Sequence, residues 1–107
     1  MDLNQYDIIL VNLDPTVGSE IKKTRPCLII SPDEINFNLQ TIVIAPITKT
    51  SKKYPTRVNV INNNTTSWIA IDQIRTIDKS RVLKNLGQLS KEKISEIKFV
   101  IKETFVD

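Results

Sequence analysis

The groups that could do chemistry in this 107-residue chain are carboxylates, hydroxyls, amides and cations, because histidine is absent and Cys27 is the single cysteine. Histidine is the commonest general base at neutral pH and the commonest metal ligand. A zinc site would also need more thiolates than one cysteine supplies. Any catalytic site must therefore be built from the remaining polar side chains.

Three polar segments hold most of these groups and interrupt apolar stretches. The first is the loop 15–25, "PTVGSEIKKTR", which ends in Arg25. The second starts at Thr48 and continues as the basic loop "TKTSKKYP" (48–55). The third is "IDQIRTIDKSR" (71–81), which follows an apolar strand. The candidate side chains of these segments and their surroundings are Glu20, Lys22, Arg25, Thr48, Lys49, Lys52, Lys53, Arg57, Asp72, Gln73 and Arg75.

Each feature also has an ordinary structural interpretation. Lysine runs are usually solvated loops, and an arginine at a strand start is commonly a surface ion-pair partner. Thr48 could simply end a strand, and 71–81 could be a turn joined by salt bridges. Trp68 suits a core or interface anchor better than a base-stacking platform, and Cys27 beside "LII" suits a small buried apolar residue. Taken singly, none of these features identifies a function.

The composition predicts a single globular domain over residues 1–107. Apolar residues make up 40% and charged residues 25% of the chain, which is unlike a disordered segment. The net charge of +3 and the pI of about 9.1 are weak evidence for a nucleic-acid partner. The sequence has no apolar run near the roughly 18 residues of a membrane span, and its start lacks a signal-peptide pattern. A cytoplasmic protein is therefore expected.

Hydrophobic periodicity predicts five or six short strands followed by one helix. Segment 32–38 is expected to form a turn or a single helical turn, and Gly87 a bulge or bend in the last strand. This order favours a mainly β fold, a small and highly curved antiparallel barrel or partly open barrel capped by the helix. Because small barrels fill their interior with side chains, function is expected on loops and rims. The strands are predicted at 6–13, 25–31, 41–47, 56–61, 67–74 and 81–89.

The last segment, 90–105, has helical rather than strand periodicity. Ile94, Ile97 and Ile101 lie on one helical face, with Phe105 at its far end. Ser90 precedes this pattern and is a natural N-cap. The segment is therefore predicted to be an amphipathic helix that begins after Ser90.

Taken together, the motifs resemble the MazF/PemK group of toxins from bacterial type II toxin–antitoxin modules. The resemblance rests on "DPTVGSE" (14–20), "RPCLIISP" (25–32) and "DQIRTIDKSR" (72–81), in this order and spacing. It covers nearly the whole chain and implies a small SH3-like curved β-barrel with a C-terminal α-helix, as in the MazF/PemK/CcdB-like fold. The chain departs from the group at Tyr6 and Ser67, where many relatives carry glycine.

The resemblance also implies an activity. Members of this group are usually homodimers that cut single-stranded RNA, commonly messenger RNA, at short sequence motifs. Cleavage requires no metal and no other cofactor, and leaves a 2′,3′-cyclic phosphate and a 5′-hydroxyl. A cognate antitoxin neutralises the toxin by occupying the RNA groove. Two alternatives stay open: a non-catalytic toxin of the same fold that acts on DNA gyrase, and an inactive barrel that only binds RNA or an antitoxin.

The site residues carried over by the resemblance begin with Arg25 and Thr48 as the catalytic pair. Asp72 or Glu20 is then the candidate that accepts the proton of the ribose 2′-hydroxyl. Some relatives use a histidine at the position of Ser19, so that variant of the mechanism cannot apply here. The residues expected to bind RNA are Gly18, Ser19, Lys22, Lys49, Lys52, Lys53 and Gln73.

Overall fold

The computed structural model describes residues 2–13, 24–50, 53–62 and 64–107, with the side chain of residue 62 left out. Within the described residues the strands are β1 (Asp7–Asn12), β2 (Thr24–Ile29), β3 (Thr41–Thr48), β4 (Arg57–Asn62), β5 (Thr65–Ala70), β6 (Arg75–Asp78) and β7 (Val82–Gln88), and the helices are α1 (Asp33–Asn38) and α2 (Lys91–Phe105). Short 3₁₀ turns at Ile71–Gln73 and Lys79–Arg81 flank β6.

The seven strands of the described residues form one antiparallel sheet in the order β4-β5-β3-β2-β1-β7, and β6 also pairs with β3. The strand β3 is central to the sheet, because it pairs with three other strands: β2, β5 near its end and β6 near its start. The mainly β fold with a C-terminal helix is confirmed. The sheet does not close on itself, so the architecture is the open form of the predicted barrel.

The sequence predicted five or six strands, and the strand it missed is β6. This strand has four residues, and only Ile77 among them is buried, so it shows no usable alternation. The predicted strand 67–74 is also shorter than expected, because the chain leaves β5 at Ala70 and continues as a 3₁₀ turn. The segment predicted as a turn or single helical turn forms the short helix α1.

Alternation along the strands divides the apolar side chains between two core clusters. On β2, Leu28 belongs to the cluster beneath α2, whereas Cys27 and Ile29 belong to the cluster on the other face. Each fully buried aliphatic side chain contributes about 1.5–3 kcal/mol to folding. These two clusters hold the sheet rigid, so that residues at its rim have defined positions.

The helix α2 packs on the sheet as its periodicity predicted. Ile97 is buried, and Ile94 and Ile101 pack against the same core cluster. Phe105 lies at the end of the helix and is 51% exposed. The N-cap prediction is confirmed, because the Ser90 hydroxyl accepts a hydrogen bond from the backbone amide of Lys93 at 3.3 Å. Among the described residues, no helix is long and apolar enough to cross a membrane.

Replacing Ser90 by alanine is expected to lower the free energy of unfolding by about 1 kcal/mol, because the amide of Lys93 loses its acceptor. Urea unfolding followed by circular dichroism measures this change. Ser95→Ala is the matched control, because Ser95 is exposed within the helix and alanine has the higher helix propensity. Equal destabilisation by the two substitutions would contradict the capping role.

Two backbone features shape the β1–β7 side of the sheet. Gly87 has a φ of +111°, and the β1–β7 register shifts between Ile8 and Ile9, so the predicted bulge or bend at Gly87 is confirmed as a bulge. Tyr6 has a φ of +69°, a left-handed conformation that glycine adopts without strain. Its backbone amide donates to Ile29 and its carbonyl accepts from Leu89, so Tyr6 ties both neighbours of β1 together.

Candidate active site

The pairing of β2 with β3 brings Arg25 and Thr48 together. Cys27 lies opposite Pro46 at the end of this pairing, and Arg25 and Thr48 are two residues further along their strands, where both line the same two depressions. Side chains two apart on a strand share a face, so both project on the same side of the sheet. Pro26 and Pro46 have no amide hydrogen to donate, so the regular ladder ends here and the rim can open.

Arg25 and Thr48 line a concave depression of about 460 Å³ at this rim. Two further guanidinium groups line it, Arg57 on β4 and Arg75 on β6. A concave surface bearing several permanent positive charges attracts polyanions. A second depression of about 310 Å³ shares Arg25 and Thr48 and adds Lys49. The pair therefore lies where the two depressions meet.

The hydroxyl of Thr48 is held by a local turn. It donates to the carbonyl of Thr50 at 3.2 Å and accepts from the amide of Thr50 at 3.3 Å. A hydroxyl hydrogen rotates readily, so the donor can turn from this carbonyl towards a bound anion while the amide continues to hold the oxygen. The Thr48 hydroxyl is thus positioned by the backbone of Thr50 and can still donate a hydrogen bond to a ligand.

Cys27 lies beneath this rim and is fully buried. Burial raises the pKa of its thiol to about 12, although the positive charges of Arg25 and Arg75 act in the opposite direction. The thiol donates to the carbonyl of Arg25 at 3.6 Å. Since a neutral thiol is a poor nucleophile, Cys27 has the structural role that the sequence indicated.

Asp72 is engaged by Arg57 in a two-point ion pair. The guanidinium Nε donates to Oδ1 at 2.7 Å and Nη2 donates to Oδ2 at 3.1 Å, while the Thr56 hydroxyl donates to Oδ1 at 3.0 Å. The hydrogen bond from Arg57 is the main cause that lowers the pKa of Asp72. The guanidinium carbon also lies 5.6 Å from the ring centre of Tyr54. These contacts favour a positioning role for Asp72, which fixes Arg57 at the edge of the depression.

Asp72→Asn is expected to lower the free energy of unfolding by less than about 1 kcal/mol, because the pair is partly exposed. A carboxylate with a lowered pKa stabilises the fold above its unfolded pKa, near pH 4, and this contribution disappears as the pH falls through the folded pKa. The difference between wild type and variant should therefore be constant from pH 5 to 8 and shrink below about pH 4. Urea unfolding across this range measures it, and a difference that grows towards low pH would contradict the ion pair.

The structure places the other predicted residues as follows. Gln73 lines the larger depression with Arg25 and Thr48, and Lys49 lines the smaller one. Lys53 is exposed at the start of a described stretch. The predictions for Gly18, Ser19, Glu20, Lys22 and Lys52 lie outside the described residues.

Two of the arginines that line the depression, Arg57 and Arg75, received no role from the sequence. Arg57 follows the basic loop and was noted only as its neighbour. Arg75 is on β6, opposite Ile44 of β3, and β6 was not predicted as a strand. If β6 had been recognised as a strand, its alternation would have placed Arg75 on the same face as Ile77 and so indicated where Arg75 lies.

Comparison with known proteins agrees with this fold. The sequence model of the PemK-like, MazF-like toxins of type II toxin–antitoxin systems matches residues 4–105. The chain belongs to this toxin family. It is 36% identical over 101 residues to a protein from Staphylococcus saprophyticus named Endoribonuclease MazF, an alignment that covers 89% of this chain and 84% of the relative. The resemblance found in the sequence is thereby confirmed.

Solved structures of related proteins have the same fold. The Mycobacterium tuberculosis toxin MazF-mt6 superposes with a TM-score of 0.78 at 25% identity, over 92% of this chain and 95% of that one. A MazE–MazF structure from Deinococcus radiodurans superposes with a TM-score of 0.81 at 22% identity, over 94% of this chain and 93% of the other. At these identities the comparison with the second protein concerns the fold alone.

Proposed function

We propose that the chain is a metal-independent endoribonuclease toxin that cleaves single-stranded RNA, messenger RNA in particular, at a short sequence motif. The observation that supports this most is that Arg25 and Thr48 line one depression together, which is lined by three arginines in all. The named activity of the Staphylococcus saprophyticus relative supports it as well. A site of this composition suits RNA, because RNA carries its own nucleophile and requires mainly orientation and charge stabilisation.

In the proposed reaction the ribose 2′-oxygen attacks the adjacent phosphorus. The new 2′-oxygen–phosphorus bond forms as the bond to the 5′-oxygen breaks, which leaves a 2′,3′-cyclic phosphate and a 5′-hydroxyl. The guanidinium of Arg25 holds two phosphoryl oxygens at once as negative charge develops on them. The Thr48 hydroxyl turns from Thr50 and donates one further hydrogen bond.

The proton transfers are assigned separately. Arginine has a pKa above about 12, so releasing its proton is costly, and Arg25 acts first by stabilising the transition state and only second as an acid. Glu20 and Asp72 are the candidates that accept the 2′-proton, directly or through water. The hydrogen bond from Arg57 lowers the pKa of Asp72, and a carboxylate with a lowered pKa is a poor proton acceptor. Glu20 is therefore the preferred acceptor.

The proposed protein partners are a second copy of the chain and a cognate antitoxin. The antitoxin is supported by the MazE–MazF structure of the Deinococcus radiodurans protein. A second copy would lengthen a shallow RNA groove, and α2 offers exposed apolar side chains for contact, Phe99 at 63% and Phe105 at 51%. Sedimentation equilibrium should give twice the chain mass of 12.2 kDa, and a monomer at micromolar concentration would contradict the homodimer.

Lys53→Ala is expected to weaken RNA binding and to reduce its salt dependence, because each phosphate contact with single-stranded RNA releases about 0.7 counterion. Fluorescence anisotropy of a labelled RNA across a salt series measures both. Lys98→Ala is the matched control, since Lys98 is an exposed lysine on α2, away from the depressions. The same loss of salt dependence in both variants would show that Lys53 acts only through the net charge.

The proposed function is tested by primer extension on a long RNA digested in EDTA. Stops at one recurring motif, present in EDTA and absent with Arg25→Ala, are the expected result. A gyrase toxin would give no stops and a loss of DNA supercoiling instead. An RNA-binding module without catalysis would bind the RNA and give no stops, and its binding would survive Arg25→Ala. Either of these outcomes would overturn the proposal.

A further inference from the structure

Trp68 occupies the strand position next to the catalytic pair. On β5 it lies directly opposite Thr48 of β3 and, on its other side, opposite Asn59 of β4. Arg25 of β2 lines both depressions together with Thr48, so the three residues form one row on the neighbouring strands β2, β3 and β5. Strands are about 4.8 Å apart, so the backbone of Trp68 is about 5 Å from that of Thr48 and about 10 Å from that of Arg25.

Alternation along β5 places Trp68 on the face of the sheet that carries the larger depression, which Trp68 itself does not line. Ser67, the residue before it, lines the smaller depression with Arg25 and Thr48. Ile69, the residue after it, is buried in the core cluster beneath α2. Ala70 shares the face of Trp68 and lines the larger depression together with Thr48. Within the described residues, Trp68 is a member of neither core cluster and is partly exposed. Core packing, the first interpretation of this tryptophan, therefore does not account for it.

We infer that Trp68 stacks on a base of the nucleotide that adjoins the scissile phosphate. The inference rests on the proposed RNA cleavage, and it gives the row two functions: Arg25 and Thr48 hold the phosphate, and Trp68 holds the attached nucleoside. Unpaired bases stack readily on aromatic side chains, and every base offers a face to do so. Stacking thus fixes where the strand lies and leaves the choice of sequence to the edge contacts of residues such as Gln73.

The inference has a direct optical readout, because Trp68 is the only tryptophan of the chain. The probe is a ten-nucleotide RNA taken from the mapped cleavage site, with a 2′-deoxy sugar at the attacking position so that it binds without being cut. Binding should quench the fluorescence of Trp68 and protect it from acrylamide. Unchanged fluorescence and unchanged acrylamide access at saturating RNA would overturn the inference.

A second experiment finds the base that stacks. The same RNA is made with one base removed at a time near the cleavage position. For the wild type, one abasic position should weaken binding roughly 10-fold, the usual size of a base–aromatic stack. Trp68→Leu should bind the intact RNA more weakly than the wild type does, by the same factor. Removing the base at that position should not weaken binding by the variant any further. Trp68→Phe, which keeps a stacking ring, should retain most of the affinity.

The possible outcomes separate this inference from the proposed function. Cleavage of unmodified RNA by the wild type, together with additive effects of Trp68→Leu and every abasic position, would reject stacking and leave the nuclease intact. Absence of cleavage would reject the nuclease, whatever change the Trp68 fluorescence shows.

A shift of the sedimentation mass in Trp68→Leu with unchanged RNA affinity would make Trp68 an interface anchor and overturn stacking. Should the leucine variant not fold, the wild-type abasic scan and Trp68→Phe still give the answer.

Discussion

Arg25→Ala is expected to lower kcat for RNA cleavage by at least about 100- to 1000-fold, the usual effect of removing one preorganised donor to a developing oxyanion. Arg25 lines both depressions at the rim together with Thr48. Its guanidinium is the group that can hold two phosphoryl oxygens at once. Single-turnover cleavage of the mapped RNA motif, with enzyme in excess, measures the change without a contribution from product release.

Arg25→Lys is the matched control, because it keeps the positive charge and loses the planar fork. Lysine at a site that requires two parallel hydrogen bonds is a poor replacement, so this variant should recover only part of the lost rate. Thermal unfolding of both variants should stay close to that of the wild type, since Arg25 is at the rim and not in either core cluster. A fully active lysine variant would mean that charge alone is required at this position.

Thr48→Val is expected to lower kcat by about 10- to 100-fold, which corresponds to the loss of one hydrogen bond to a charged group. Valine has nearly the same shape as threonine, so the change removes the hydroxyl and leaves the strand backbone unaltered. Thr48→Ser, which keeps the hydroxyl, should retain most of the activity. The same single-turnover assay compares the two variants.

Thr48 also holds Thr50 through two local hydrogen bonds, and the valine variant loses both of them. Urea unfolding therefore accompanies the kinetics and shows whether the turn was damaged. If Thr48→Val and Thr48→Ser cleave at the same rate, the hydroxyl does not act on the phosphate. The catalytic pair would then be reduced to Arg25.

The long elements were predictable because their side chains follow a clear period. The helix α2 was recognised from isoleucines three and four residues apart, and β4 from its alternation of polar and apolar residues. The strand β6 was missed for a physical reason. Its four residues are held by pairing with β3, a partner more than thirty positions away, and a single buried side chain, Ile77, leaves no period to read.

The choice of Arg25 and Thr48 as the proposed catalytic pair came from the family resemblance, and their placement at one rim needed the structure. Nothing local in the chain connects Arg25 with Thr48, since their proximity depends on how β2 and β3 align. The same holds for Arg57 and Asp72, which are 15 positions apart and meet because the β4–β5 pairing sets Arg57 opposite Ala70. Long-range register is decided by packing of the whole sheet, so a single sequence does not reveal it.

The charged segment 14–23 before β2 lies outside the described residues. The roles of Gly18, Ser19, Glu20 and Lys22 rest on the resemblance and on their residue types, and they stay predictions. Glu20→Gln is the informative substitution among them. If Glu20 accepts the 2′-proton, this variant loses the rising limb of the pH–rate profile, whereas Asp72→Asn keeps it.

The nature of the product ends tests the central claim most directly. Mass spectrometry of a short RNA digested in EDTA should show a 2′,3′-cyclic phosphate on one fragment and a 5′-hydroxyl on the other. The same RNA with a 2′-deoxy sugar at the attacking position should remain intact. Fragments that carry a 5′-phosphate, or cleavage of the deoxy-substituted RNA, would contradict attack by the ribose on a phosphate held between Arg25 and Thr48.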